Sequence, residues 1–230
     1  NEASPLGNLH VKSGESGATV DGSANELVVE GSGNSGISIL SGSSSGGQIY
    51  FGDSELNYDG YLAYSHASRN MTLGTAGAGR LNIDAAGIVT KPYQPAFLYQ
   101  GANGQNNIAI NTENTIVFTT GRFDNNNDFG SNTFTAPVNG RYQLNTHLRI
   151  DTWDAQATYY QLYLATSNRS YFQTFKGAVA SADLAYFTMN LSILADMELG
   201  DTARVVLYQG NGTQQSDIHG ESSFSGYLVC

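Results

Sequence analysis

The chain has 230 residues, room for one large β domain or two smaller units. Its formal charge of −10, from 20 acidic and 10 basic residues, argues against nucleic-acid binding, which rests on Lys and Arg neutralising phosphates. It argues equally against electrostatic adhesion to an anionic membrane. No apolar run approaches the roughly 20 residues that span a bilayer, so no membrane insertion is expected. The chain begins at Asn1 rather than Met and shows no signal peptide, so it reads as a fragment or a processed product. Cys230 is its one cysteine, which excludes an intrachain disulfide and fits folding in a reducing compartment.

Residues 1–90 hold 16 of the 27 glycines but only 5 of the 25 aromatic residues, too few large side chains for a dense core within one copy. Apolar residues come in short pulses: Leu9 and Val11, Leu27-Val28-Val29, Ile37 to Leu40, and Ile49-Tyr50-Phe51. Tyr61–Tyr64, Met71 with Leu73, Leu81 with Ile83, and Ile88-Val89 continue the series. Pulses about every ten residues, separated by Gly/Ser/Asn/Asp turns, predict a meander or a stacked repeat rather than a flexible linker. A unit this poor in apolar residues is expected to share a core among identical chains.

Within this half, Asp59-Gly60-Tyr61-Leu62-Ala63-Tyr64-Ser65-His66, then Met71-Thr72-Leu73, then Arg80-Leu81-Asn82-Ile83-Asp84-Ala85-Ala86-Gly87-Ile88-Val89 resemble a bacteriophage tail-fibre motif. Leu9-His10-Val11 is similar to the opening of such regions, with Asn8 where a basic residue often stands. The resemblance covers about residues 7–90 and implies a trimeric shaft or pre-tip module.

Residues 91–96, with Pro92 and Pro95, form a stiff extended connector. From 97 to 230 the texture is that of a globular β domain. Strands are predicted at Phe97–Gln100, Ile116–Thr119, Thr133–Ala136, Arg141–Ile150, Thr158–Thr166, Ser170–Phe175, Leu184–Leu194, Ala203–Gln209 and Ser222–Val229. That number of strands in so short a stretch predicts a sandwich or jelly roll. Tyr142, Leu144 and Leu148 alternate with Arg141, Gln143 and Asn145, the period of a half-buried strand.

Phe118, Asp124, Phe129, Phe134, Gly140, Tyr142 and Leu144, with the closing Phe224-Ser225-Gly226-Tyr227-Leu228-Val229, resemble the complement 1q head family. Residues 95–230 carry the likeness. It implies a ten-stranded jelly roll related to tumour necrosis factor, and a homotrimer. Taken together, the chain is expected to be all-β, with a Gly/Ser-rich β shaft or meander module at 1–90, a connector at 91–96 and a jelly-roll head at 97–230.

The chemistry points to binding rather than catalysis. His10, His66, His147 and His219 have no metal-ligand spacing, and no nucleophile motif or phosphate loop is present, so no cofactor and no metal are assigned. Asp151 and Asp154 flank Trp153, a pattern that invites a glycosidase, but no second element supports it, and no enzyme is expected. Asp124–Asp128 offers oxygen ligands of the kind calcium takes but lacks the glycine and closing Glu of an EF-hand loop. A jelly roll with these strands would gather 151–157, 177–183 and 210–221 at its free tip, with Cys230 at the opposite end, beside Pro92–Pro95. The tip residues Trp153, Asp154, Asn211, Gln214, Gln215, Asp217 and His219 are the candidate receptor contacts. The expected role is that of a virion structural protein, folded in the host cytoplasm. It would be the distal part of a phage tail fibre, whose trimeric head binds a host cell-surface glycan or protein and whose N-terminal side meets other tail proteins. A structural connector or head decoration without a receptor, and a secreted bacterial adhesin, stay open.

Overall fold

A computed structural model describes residues 8–101 and 104–230. The chain divides between Thr90 and Lys91 into two compact units. In the first, β1 (Leu9–Lys12) and β2 (Leu27–Glu30) pair in parallel. Glu30 fixes the loop between them: its carboxylate accepts hydrogen bonds from the Ser16 amide and hydroxyl, both at 2.8 Å, and lies 3.0 Å from His10 Nε2. The Ile37–Leu40 pulse, expected to be a strand, is irregular and exposed, for its Gly/Ser flanks offer no neighbour to pair with.

β3 (Gly46–Phe51), β4 (Gly60–Ser65), β5 (Asn70–Thr75), β6 (Ala78–Ile83) and β7 (Val89–Thr90) form an antiparallel meander in chain order. Local chemistry explains its turns. Ala76 and Gly77 both have positive φ (52° and 67°), the requirement of a two-residue hairpin loop whose twist matches the strands. Asp84 Oδ1 accepts from the amides of Ala86 and Ile88 at 2.8 and 2.9 Å, closing the loop into β7.

The second unit is a two-sheet sandwich. Its strands are β8 (Ala96–Gly101), β9 (Glu113–Thr115), β10 (Phe118–Asp124), β11 (Phe129–Gly130), β12 (Thr133–Thr135), β13 (Gly140–Trp153) and β14 (Tyr159–Thr166). They continue through β15 (Ser170–Phe175), β16 (Leu184–Met197), β17 (Thr202–Gly210), β18 (Asp217–Ile218) and β19 (Ser223–Leu228). One sheet has the order β10-β8-β19-β13-β16, with β18 also on β13; the other runs β11-β12-β17-β14-β15, with β9 also on β17. Strands distant in sequence lie side by side, the jelly-roll arrangement.

The core lies between these sheets. Tyr142, Leu144, Leu148 and Ile150 of β13 face Tyr160, Leu162 and Leu164 of β14, all fully buried. Phe97 stacks on Phe134 and Phe129, with ring centroids 4.7 and 5.3 Å apart, and meets Phe224 edge-on at 5.0 Å. Tyr142 donates its hydroxyl to the Val138 carbonyl at 2.8 Å, pinning the Pro137–Gly140 turn. One expected strand is corrected. Ile116–Thr119 is not one strand: β9 pairs β17 and β10 pairs β8, so Ile116 and Val117 are where the chain crosses between sheets, and Ile116 is buried as a plug. Phe123 breaks from the buried aromatics around it and is 50 % exposed, because β10 carries register shifts on either side of Thr120–Gly121.

Candidate functional site

β13 and β16 are the long members of the sandwich and pair from Gly140–Met197 at one end to Trp153–Leu184 at the other. Thirteen residue steps of about 3.3 Å set these ends about 43 Å apart. At the Gly140 end, Leu228 donates to Pro95 O at 3.0 Å and Arg141 donates to Cys230 O at 2.8 Å. Cys230 is therefore beside the connector, as the strand directions required. At the Trp153 end, the β13–β14, β15–β16 and β17–β19 connections meet and form an apex.

Asp154 joins them. Its side chain accepts from the amides of Thr213 (2.6 Å), Gln156 (2.7 Å) and Gln214 (3.0 Å). Burial pushes its carboxyl pKa up, and the amides of Gln214, Thr213 and Gln156 outweigh that, holding it below the usual 3.8. Asp183 accepts from the Ala155 amide at 2.8 Å, tying in the β15–β16 connection. Tyr160 and Ser216 share a hydrogen bond at 2.8 Å beneath, and Gln209 Nε2 donates to Gln214 O at 2.7 Å.

The seven expected contact residues separate here. Trp153 and Asp154 do not belong to the surface, which corrects their assignment: both are 0 % exposed. The Trp153 ring stacks on Tyr160 with centroids 3.8 Å apart, and its Nε1 donates to Gly177 O at 2.8 Å. No face is left for a sugar ring, and Asp154 is fully engaged by backbone amides rather than poised as a catalytic acid. Asn211 and Gln215 are exposed and Gln214 is half-buried. Asp217 and His219 are half-buried and line a depression of about 380 Å³ with Gly104, Asn106 and Asp151. Asp217 also accepts from the Asn107 amide at 2.6 Å.

The apex has members that sequence reasoning missed. Asn111 Oδ1 accepts from the Asn211 amide at 2.8 Å, while Thr158 Oγ1 accepts from Asn211 Nδ2 at 3.1 Å. Gln156, Thr158 and Thr213 are exposed beside them. Only the Asn-rich composition of 104–114 hinted at a loop there; its meeting with Asn211, 100 residues on, is set by the β9–β17 pairing. The exposed patch of Asn211, Thr213, Gln215, Gln156 and Thr158 is thus built of uncharged amides and hydroxyls, which donate to and accept from neutral polar partners alike, with Lys176 and Asp183 of the β15–β16 connection exposed elsewhere on the apex.

Thr152 has φ 56°, an outlier for a β-branched residue that stores strain at the rim of the apex. Gly212 has φ 116°, and a Cβ there would lie 2.3 Å from Asp154 Oδ2. Gly212→Ala is expected to cost about 2–3 kcal/mol, measured as a lower denaturation midpoint of the head with an unchanged m-value.

Among the described residues, no group of three or more His, Cys, Asp or Glu is placed to hold a metal ion. Asp124 spends its carboxylate on the amides of Asp128 and Phe129, both at 3.0 Å, closing its own turn.

The second unit is thus a jelly-roll sandwich whose loops converge at one apex. Residues 96–229 match the family model of the C1q domain, more than half of the chain. The chain belongs to the C1q domain family. C1q/TNF-like domains are generally non-enzymatic binding modules. Among solved structures, it is similar to the globular domain of zebrafish complement 1qA protein at 18 % identity and a TM-score of 0.44, covering 60 % of this chain and 98 % of that one. Murine APRIL at pH 8.0 is similar at 9 % identity and a TM-score of 0.44, covering 59 % and 99 %. No match is found among curated proteins.

Proposed function

We infer that this protein is the distal part of a phage tail fibre, a homotrimer whose C1q head attaches the virion to a host cell-surface glycan or protein receptor. The observation that carries recognition is the apex, where loops from both sheets are locked by Asp154 and present exposed Asn211, Thr213 and Gln215. A preorganised loop cluster loses little conformational entropy on binding. The virion context rests on the tail-fibre resemblance of residues 7–90, and the homotrimer on the family's assembly. Three heads on one axis present three copies of a weak site, and multivalency multiplies avidity without new contacts. The N-terminal side meets other tail proteins, and the chain folds in the host cytoplasm before assembly.

The test is binding of the 230-residue chain to host cells. Asn211→Ala combined with Gln215→Ala is expected to weaken binding at least tenfold; Asn211 lies at φ 57° and donates to Thr158 Oγ1, and Gln215 Nε2 donates to Asn107 O and Ile108 O, so the thermal midpoint should also fall by several degrees and binding is measured well below it. Unaltered binding by this variant would move the site off the apex. A folded trimer that binds no envelope glycan or protein across susceptible strains would mark a structural connector instead.

A further inference from the structure

Asparagine followed by glycine readily loses its side-chain amide, because glycine has no Cβ to keep its backbone nitrogen away from the preceding carboxamide carbon. The chain has three such pairs: Asn103–Gly104, Asn139–Gly140 and Asn211–Gly212. Asn103 lies outside the described residues. The other two pairs are held in opposite ways. Asn139–Gly140 is closed by the sheet: Gly140 opens β13 and pairs with Met197 of β16. Arg141 donates to Cys230 O and accepts from the Val229 amide, so its backbone groups face β19. Backbone groups alternate along a strand, so the Gly140 amide faces β16 and is engaged in that ladder. The Leu199 amide fixes Asn139 Oδ1 at 2.7 Å.

Asn211–Gly212 is open, and the fold itself demands both residues. Asn211 has φ 57°, a left-handed conformation that asparagine adopts at low cost. Gly212 has φ 116°, and any Cβ there would strike Asp154 Oδ2. The amides of Asn211, Thr213 and Gln214 are each bound, whereas that of Gly212 donates to no group among the described residues. The carboxamide next to it is exposed and polarised. Asn111 Nδ2 donates to Asn211 Oδ1 at 3.3 Å, where negative charge gathers when the carbon is attacked. Thr158 Oγ1 accepts from Asn211 Nδ2 at 3.1 Å.

We propose that Asn211 is a self-modifying site, at which the chain converts its own apical amide to a carboxylate with water as the co-reactant. The Gly212 nitrogen bonds to Asn211 Cγ and gives up its proton. The Cγ–Nδ2 bond breaks, and ammonia leaves with that proton, closing a five-membered imide. Water then opens the imide at either carbonyl, giving aspartate or isoaspartate. Either product sets a negative charge among the uncharged Thr213, Gln215, Gln156 and Thr158. Isoaspartate also adds a methylene to the backbone, just ahead of the Thr213 and Gln214 amides that Asp154 holds. The chemistry is intramolecular and stands without the receptor reading, although it alters the same patch.

The test incubates the 230-residue chain in mildly alkaline buffer, both native and in strong denaturant. Peptides spanning 139 and 211 are followed by mass for the amide-to-acid change, with tryptophan emission reporting that the native sample stays folded. In denaturant both pairs react at their intrinsic rates, which serve as references. In the native protein Asn139 is expected to slow by more than about thirtyfold, since the Gly140 amide is released only when β13 opens. Asn211 is expected to stay within about threefold of its rate in denaturant, because its loop needs no such opening. Fragmentation of the 211 peptide is expected to show isoaspartate beside aspartate, the mark of an imide. Asn211 slowed as strongly as Asn139 overturns the proposal. Aspartate alone at 211 overturns it as well, since direct hydrolysis of the side chain makes no isoaspartate. Asn139 reacting natively as fast as Asn211 overturns the assignment of this reactivity to the apical loop.

Discussion

Replacing Asp154 with alanine is expected to destabilise the head by about 3–5 kcal/mol and to release the apical loops. The carboxylate accepts from three backbone amides on two connections, and it is fully buried. A hydrogen bond to a charged acceptor is worth about 1.5–3 kcal/mol, and each buried donor left unpaired adds a desolvation cost. The β17–β19 connection would lose its attachment at Thr213 and Gln214, so hydrogen exchange across 211–217 is expected to rise well before global unfolding. Receptor binding through Asn211 and Gln215 should fall with it. Asp154→Asn keeps an acceptor oxygen but loses the charge, and an intermediate loss is expected. A variant with an unchanged midpoint and unchanged exchange would show that the loops hold without this carboxylate.

The same group predicts a pH dependence. Its folded pKa lies below the ordinary value of 3.8. The stabilisation is therefore fully present above that value and is lost as pH falls through the folded pKa. Wild-type apical exchange should accelerate only under strongly acidic conditions, whereas Asp154→Asn should show no such acid step in that segment.

Replacing Trp153 with alanine is expected to cost about 3–5 kcal/mol, the usual range for a buried large aromatic. Its stack on Tyr160, its contact with Phe187 at 4.4 Å and its hydrogen bond to Gly177 O all disappear. For a domain of this size the midpoint should fall by about 10–20 °C. Trp153→Phe keeps part of the packing and should cost about half as much. Because Trp153 is the chain's one tryptophan and is buried, native emission should be blue-shifted and its red shift should track head unfolding. Host binding by a folded Trp153→Phe protein is expected to be unchanged. A selective loss of binding at full stability would return this ring to the recognition surface.

The reversal of Trp153 from contact residue to core residue has a local cause. Along β13 the even positions Tyr142, Leu144, Leu148 and Ile150 face inward, and continuing that period points Thr152 in and Trp153 out. Thr152 adopts φ 56° instead, while the pairing with β16 keeps its register from Asp151–Tyr186 to Trp153–Leu184. The left-handed residue breaks the two-residue alternation of side chains without a slip of the strands, so the indole enters the core. Nothing in the residue pattern announces the break, because threonine is a poor candidate for positive φ. Ile116 teaches a related lesson. Its apolar neighbours read as a strand, but the pairing partners of β9 and β10 lie in different sheets.

The sequence by itself determined the all-β character of the chain and the inward set along most of β13. It also determined the turns where Asx and glycine chemistry closes a hairpin, since these follow from short-range sterics and a two-residue period. The bounds of β15 and the start of β16 came out as read, and the anchors Phe118, Phe134, Tyr142 and Phe224 marked the C1q head. Tertiary structure alone decided which candidate contacts reach solvent. Asp154 became a bond between loops because Thr213 and Gln214, about 60 residues away, bring their amides to it. Asn111 joined Asn211 because β9 lies against β17. Such meetings depend on non-local strand order, and no local period encodes them.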